Sequence, residues 1–171
     1  MNYREISPHD FSFAPFREIG ENWGILTGQS DRGFNSMTVS WGGAGVLWSR
    51  PVVFVFVRPQ RHTYGFMNEG DRFSLSLMPE GSHKQITVFG SKSGRDVDKY
   101  AVSGLTAEEY GGVRFPGSAD TVFICRKIGA GDFTKDWILD KTIDAEDYPG
   151  GDYHRMFIGE IETILKKTEE K

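Results

Sequence analysis

The chain has 171 residues and carries 20 Lys and Arg against 24 Asp and Glu, a formal net charge of −4 with histidine neutral. That length suits one compact domain, and that charge argues against a protein built to grip a nucleic-acid backbone, which needs a concentrated excess of cations. Hydrophobic residues make up only 38%, but 13 Phe, 6 Tyr and 4 Trp let a core form from few, large rings, and the 21 Gly lack the three-residue period of collagen while pointing to many tight turns.

Taken in chain order, the start MNYREISPHDFSF has no apolar h-region and no small-residue cleavage site. The expected location is therefore the cytoplasm. Residues 22–27 and 36–41 favour strand. Gly42-Gly-Ala-Gly45 lacks the third glycine of a dinucleotide fingerprint and opens no helix, so it reads as a flexible loop. Residues 52–58 form a β-branched and aromatic run between Pro51 and Pro59, the pattern of a strand buried on both faces. The stretch 51–57 is the longest apolar one and far too short to cross a bilayer. A short helix is expected over residues 62–69, after the Pro59 turn, and residues 73–78 alternate apolar with small polar as a half-buried strand does. Residues 83–89 and 96–103 fit short helices. Residues 121–127 favour strand, and within it Cys125, the one cysteine, reads as a small buried hydrophobe. With no second thiol there is no internal disulfide, which also fits a reducing compartment. Residues 156–165 favour strand, and residues 164–171 read as a solvated, frayed end.

No repeat and no Pro- or Ser-rich linker divides the chain, so residues 1–171 are read as a single domain with its core over about residues 20–165. Strands joined by short helices, without full strand–helix–strand alternation, predict an antiparallel barrel or sandwich with helical decoration.

The chain lacks a G-x-S-x-G elbow, a Walker A loop and an H-E-x-x-H helix. His9, His62, His83 and His154 share no i, i+2 or i, i+4 spacing and have one cysteine for company, so no metal site is expected. Three segments carry candidate chemistry. In Gly33-Phe-Asn-Ser-Met-Thr-Val-Ser-Trp41, amide and hydroxyl groups alternate with apolar side chains. Such a strand offers polar contacts to a planar heteroaromatic ring and hydroxyls to a phosphate; it also reads as a strand with a Ser/Thr solvent face. Arg58-Pro-Gln-Arg-His-Thr63 leaves the apolar strand for a helix. Forked guanidinium donors beside a helix N-terminus suit an anion, as they also suit a solvated turn. Gly90-Ser-Lys-Ser-Gly-Arg-Asp96, with Lys99 following, is a phosphate clamp or simply a polar loop.

Together N-S-M-T-V-S-W at 35–41, Trp48-Ser-Arg-Pro51, V-R-P-Q-R-H-T at 57–63, S-G-R-D-V-D-K at 93–99, Gly104-Leu-Thr106, Asp152-Tyr-His154 and Ile158-Gly-Glu-Ile161 resemble the flavin reductase-like family of FMN-binding split barrels. Within it, they are similar to the subgroup that includes flavoredoxin. The resemblance runs from about Trp23 to Ile164. It implies a mainly β fold, a six-stranded antiparallel split barrel with a Greek-key element and a few short helices. It also implies a homodimer with non-covalent FMN at or near the interface. Residue by residue, it implies that Asn35, Ser36, Met37, Thr38, Ser40 and Trp41 lie along the isoalloxazine and ribityl chain. Arg58, Arg61, His62 and Thr63 would serve the phosphate and ribityl hydroxyls, with Ser91, Lys92, Ser93 and Arg95 as the second half of the clamp. Two readings of His154 stand: with Phe157 it closes the pocket, in one variant from the partner subunit, or it is a plain surface or interface histidine.

The activity implied is an NAD(P)H-dependent flavin (FMN) reductase-type oxidoreductase in which FMN carries the hydride and no protein nucleophile is needed. The alternative is an FMN-containing electron-transfer protein, flavoredoxin-like, without significant NAD(P)H turnover. Expected partners are a nicotinamide donor and an electron-acceptor protein, with no nucleic acid and no membrane. A base-stacking barrel for single-stranded nucleic acid is the third class, and the acidic balance weighs against it.

Overall fold

The computed structural model describes residues 2–168. In chain order its strands are β1 (Tyr3–Ile6), β2 (Gly24–Ser30), β3 (Gly33–Val39), β4 (Gly42–Leu47), β5 (Arg50–Val57), β6 (Arg72–Leu77), β7 (Ala107–Tyr110), β8 (Val113–Pro116), β9 (Thr121–Asp132) and β10 (Arg155–Lys167). Its α-helices are α1 (His62–Glu69), α2 (His83–Ser91), α3 (Lys99–Ser103) and α4 (Lys141–Asp147). Eight strands make one antiparallel sheet in the order β3-β2-β6-β9-β10-β5-β4, with β1 paired to the far end of β10. The hairpin β7–β8 stands apart as a second, small sheet.

Strand alternation sends one set of side chains to each face. Leu26, Met37, Val39, Val53, Val55, Val57, Phe73, Leu75, Phe123, Cys125 and Phe157 gather into one cluster. Because this cluster joins β3 and β5, which lie near opposite ends of the strand order, the sheet is rolled around it into a barrel, left split between the edge strands β3 and β4. Ile19, on a π-helical turn (Phe16–Glu21), enters the same cluster. Ile25, Val122 and Ile124 point the other way, into a second cluster with Ile86, Phe89, Val113 and Phe115 from α2 and the β7–β8 hairpin. α2 lies over β3, where the Thr38 hydroxyl donates to the Ile86 carbonyl.

The mainly β, antiparallel class is the expected one, and α1 falls on the expected residues 62–69. Several particulars differ. The sheet has eight strands instead of six, because β1 and β4 join it. Gly42–Gly45 is no loop; it opens β4, pairing Gly42 with Val55 and Gly45 with Val52. Four residues with almost no side chains carry no period to read, while their backbone groups serve a ladder as well as any. β5 is sealed along one face by Val53, Val55 and Val57; on the other Val52 is sealed while Phe54 and Phe56 are half-buried, Phe56 against Phe133 at 5.4 Å between ring centres. The expected frayed end is strand as far as Lys167, with Ile164 and Leu165 buried, residues 164–167 paired to β1 and residues 164–166 also to β9. Residues 169–171 of that segment lie outside the described residues. The helix expected over residues 96–103 begins at Lys99, since Asp98 caps it by accepting from the Tyr100 and Ala101 N–H groups at 2.9 and 3.2 Å. α4 and the β7–β8 hairpin were not foreseen.

Gly159 marks the tightest place in the barrel wall. A Cβ there would stand 2.7 Å from Phe73 Cε1 and 2.9 Å from Cys125 Cβ, beside the irregularity in the β9–β10 pairing. Both neighbours are sealed in the core and cannot yield. Gly159→Ala is expected to destabilise the protein by about 1–3 kcal/mol, the usual cost of overpacking, read as a lower urea midpoint. A midpoint equal to wild type would show that the wall relaxes.

Candidate functional site

Two connected hollows lie where β3, α2 and the corner after β5 meet. The wider, of 480 Å³, is lined by Trp23, Met37, Thr38, Ser40, Arg58, Arg61, Thr87, Gly90, Ser91 and His154. The narrower, of 210 Å³, is lined by Gln60, Arg61, His62, Thr63, Gly90, Ser91, Lys92, Ser93, Arg95 and Lys99. Arg61, Gly90 and Ser91 belong to both. A side hollow of 200 Å³ extends the wider one past Trp41 and Phe56.

The narrow hollow is basic. Arg61, Lys92, Arg95 and Lys99 line it and no carboxylate does. Lys99 is buried and donates from Nζ to the Ser36 carbonyl at 2.9 Å and the Phe89 carbonyl at 3.0 Å. Arg61 donates to the Gly90 carbonyl at 3.0 Å and the Phe89 carbonyl at 3.3 Å. Both cations thus meet the last turn of α2, where the helix leaves carbonyls unpaired and its dipole favours positive charge. Burial, then the Arg61 charge, brings the Lys99 ammonium down to about 8. Burial also lowers Arg61. The His62 imidazolium is disfavoured first by burial and then by Arg95, Lys99 and Arg32. A site that presses cations together and desolvates them is one that an anion relieves. Lys92 and Arg95 are exposed at its rim, Arg95 reaching the Gln60 carbonyl at 3.4 Å. The loop Ser91–Arg95 approaches β3 so closely that a Cβ at Gly94 would run into Asn35 Oδ1 and lie 3.1 Å from His62 Cδ2. Four cations, backbone that passes close to the hollow and the N-terminal turn of α1 beside it form a donor set that fits the phosphate of FMN.

The wide hollow holds two ionised side chains, Arg58 and the Arg61 it shares with the narrow one, and no carboxylate. Arg58 borders it but is matched: it bonds Asp152 at 2.6 Å and the Asp147 carbonyl at 2.8 Å, and lies 5.0 Å from the centre of the Tyr148 ring. His154 is buried, accepts or donates at Nδ1 with the Tyr148 hydroxyl at 2.8 Å and sits 5.1 Å from the Trp41 ring. Burial, then the Arg58 charge, lowers His154 to about 4, so it is neutral at physiological pH. A mostly neutral cleft that ends in a basic pocket fits an isoalloxazine ring with a phosphorylated tail.

The expected residues do not all gather here. Met37, Thr38, Ser40, Trp41, Arg58, Arg61, His62, Thr63, Ser91, Lys92, Ser93, Arg95 and His154 line the three hollows. Asn35 stands behind them, its amide donating to Thr63 Oγ1 at 2.7 Å, and Thr63 is itself buried. Ser36 lines none of the three hollows: its hydroxyl is taken up by Thr27 at 2.8 Å and Tyr100 at 2.9 Å, although it shares the face of β3 that carries Thr38 and Ser40. Phe157 is sealed in the barrel core, 6.4 Å from Tyr64 between ring centres, and lines none of the three hollows. Arg58 is spoken for by a carboxylate, which the charge of the segment alone did not reveal. Trp23, Thr87 and Lys99 were missing from the expected set. Only Lys99 had a signal, as the cation four residues beyond Arg95 and just inside a capped helix. A larger hollow of 580 Å³ lies between residues 29–32 and 69–72. There Arg32 pairs with Glu69 at 2.6 Å and Arg72 with Glu162 at 2.7 Å, leaving those guanidiniums no charge to spare for an anion.

Among the described residues no group of His, Cys, Asp and Glu is placed to hold a metal ion, and no helix is long and apolar enough to cross a membrane. A search of curated proteins gives no significant match. Solved structures do match in fold. An FMN-binding domain of a flavin reductase-like enzyme from Shewanella baltica superposes with a TM-score of 0.68 at 16% identity, covering 97% of this chain and 78% of that one. Flavoredoxin from Methanosarcina acetivorans gives 0.66 at 19%, covering 87% and 69%. The styrene monooxygenase flavin reductase of Pseudomonas putida gives 0.62 at 17%, covering 85% and 79%. The family described as the flavin reductase like domain matches residues 16–171, and the chain belongs to that family.

Proposed function

We propose that this chain binds FMN and works as an oxidoreductase of the flavin reductase type, passing electrons from NADH or NADPH to an acceptor. One observation carries the proposal: a pocket lined by four cations and no carboxylate opens into a wider cleft that shares Arg61 with it and whose other ionised group, Arg58, is paired with Asp152. Bound FMN supplies the hydride and electron chemistry. The chain's own groups hold and orient. Arg61, Lys92, Arg95 and Lys99 hold the phosphate, with the first turn of α1 adding N–H donors. Thr38, Ser40 and the β3 backbone meet the polar edge of the ring, and Met37 gives it an apolar floor. His154, neutral and tied to Tyr148, closes one side without offering a charge. The matched Arg58–Asp152 pair fixes the corner after β5 and so the direction of Arg61.

A second copy of the chain is the proposed cover for the exposed rings Trp48 and Trp137 and for Val46 and Leu139, which are 62%, 61%, 77% and 89% exposed. Large apolar side chains this exposed are the ones a partner surface would cover.

The spectrum of the purified protein tests the cofactor: oxidised flavin absorption supports it, and a colourless protein that takes up no added FMN rejects it. Steady-state NADH and NADPH oxidation then separates reductase from carrier. Turnover that saturates with added flavin marks a reductase, while a held FMN reduced only by a partner protein marks an electron carrier.

Lys92→Ala and Arg95→Ala, both at exposed positions, are each expected to weaken FMN affinity about tenfold, roughly 1.4 kcal/mol for one charge-assisted contact, with no change in Tm. Unaltered affinity in both variants would move the phosphate elsewhere. The Lys99 ammonium ionises near 8, lowered by burial and then by Arg61. An anion favours its charged form, so FMN binding takes up a proton above that pH, and affinity falls as pH rises through about 8 and beyond. Titration of FMN between neutral pH and pH 10 reads this, and in Lys99→Met the fall is expected to vanish.

A further inference from the structure

The His154 imidazole is held by the excursion that joins β9 to β10. The His154 carbonyl accepts from the Phe133 N–H at 2.9 Å and closes that excursion at its base. The ring is tied further along, where Nδ1 meets the Tyr148 hydroxyl at 2.8 Å. Tyr148 is buried, stacked on Tyr153 at 4.8 Å between ring centres, with the Arg58 guanidinium 5.0 Å from its own centre. Tyr153 is fixed in turn, its hydroxyl donating to Asp144 at 2.6 Å. The tautomer of His154 follows from counting protons. A buried phenol needs an acceptor for its proton, and burial disfavours its ionised form. Among the described residues Nδ1 is the one hydrogen-bond partner of the Tyr148 hydroxyl. Nδ1 therefore accepts, and the single proton of the neutral imidazole sits on Nε2. Tyr148 lines none of the three hollows, whereas His154 lines both the wide one and its side extension. The ring thus turns Nδ1 to the excursion and leaves Nε2–H for the cleft.

We infer that Tyr148 is a positioning residue for the flavin: it fixes His154 as the Nε2–H tautomer, an uncharged donor facing the cleft that favours the reduced flavin over the oxidised one. The inference rests on the FMN reading above. Reduction adds electrons to the ring, and a hydrogen bond to an acceptor that gains negative charge strengthens. A donor already fixed in place meets that charge without rearranging. An imidazole free of Tyr148 would sample both tautomers and turn a lone pair to the ring in one of them.

Two readouts test it, one without flavin and one with it. In the flavin-free protein, proton–nitrogen NMR of the histidine rings is expected to show His154, assigned by its loss in His154→Gln, protonated on Nε2. Tyr148→Phe removes one oxygen and keeps the ring, so the fold is expected to persist while His154 becomes a mixture of tautomers. In the FMN-loaded protein, Tyr148→Phe is expected to raise the Kd of reduced FMN roughly fivefold to tenfold, lowering the two-electron midpoint by about 20–30 mV at about 30 mV per tenfold. The Kd of oxidised FMN is expected to stay within twofold of wild type. His154→Gln puts an amide without tautomers in place of the ring, and in that background Tyr148→Phe is expected to change neither Kd further. A wild-type His154 protonated on Nδ1 overturns the assignment. So does an unaltered Kd for reduced FMN in Tyr148→Phe, or a further loss in the double variant. A wild-type protein that binds neither oxidised nor reduced FMN removes the FMN reading, and the assignment with it.

Discussion

The Phe89 carbonyl accepts from a guanidinium and an ammonium at once, and much of this molecule is arranged around that point. Two cations drawn out of water toward each other repel and lose solvation. They stay because α2 ends there, with unpaired carbonyls and the negative pole of its dipole. Arg61 arrives from the corner after β5 and Lys99 from the start of α3, so one helix terminus ties together three parts of the chain. Lys99 also donates to the Ser36 carbonyl and thereby fastens α3 to β3. The carbonyls offset only part of the charge. What remains faces the narrow hollow and gives it an affinity for anions, which links the packing of α2 to the chemistry of the cleft.

The barrel supplies what such a site needs from a scaffold. β3 is an edge strand, so its outer groups are not consumed by a further neighbour and are free to meet a ligand. α2 is bound to it through the Thr38 hydroxyl, and the Asn35–Thr63 bond fixes α1 against the same strand. Cleft and core therefore share walls: Met37 belongs to the central cluster and also lines the wide hollow.

The sequence made the strands with strong side-chain patterns legible, and most of the basic segments with them. Phe73, Leu75 and Leu77 announce their face by alternation, whereas residues 52–57 announce a strand by an unbroken apolar run that leaves its sealed face unread. β4 stayed hidden because Gly42, Gly43 and Gly45 have no side chains to alternate, and β1 because four half-polar residues become a strand only when β10 lies beside them. The basic loops 58–63 and 91–95 were readable from charge and glycine content as candidate anion ligands, and equally as solvated turns. That Arg58 spends its charge on Asp152 was not, since 94 residues separate the two and only the fold brings them together. Ser36 and Phe157 lie outside the hollows for reasons a motif does not carry: the Ser36 hydroxyl is taken up by Thr27 and Tyr100, and Phe157 faces the barrel core. Trp23, with φ of 64°, had no signal, because a left-handed backbone at a tryptophan is a property of the chain on either side of it.

Cys125 stands at the centre of the barrel, sealed from solvent, its thiolate strongly disfavoured by burial. It touches the place where Gly159 leaves no room for a side chain. A thiol reagent therefore meets nothing to modify while the wall is closed. Labelling waits on opening of the wall that β9 and β10 form, so the single thiol is a built-in clock for opening of the barrel.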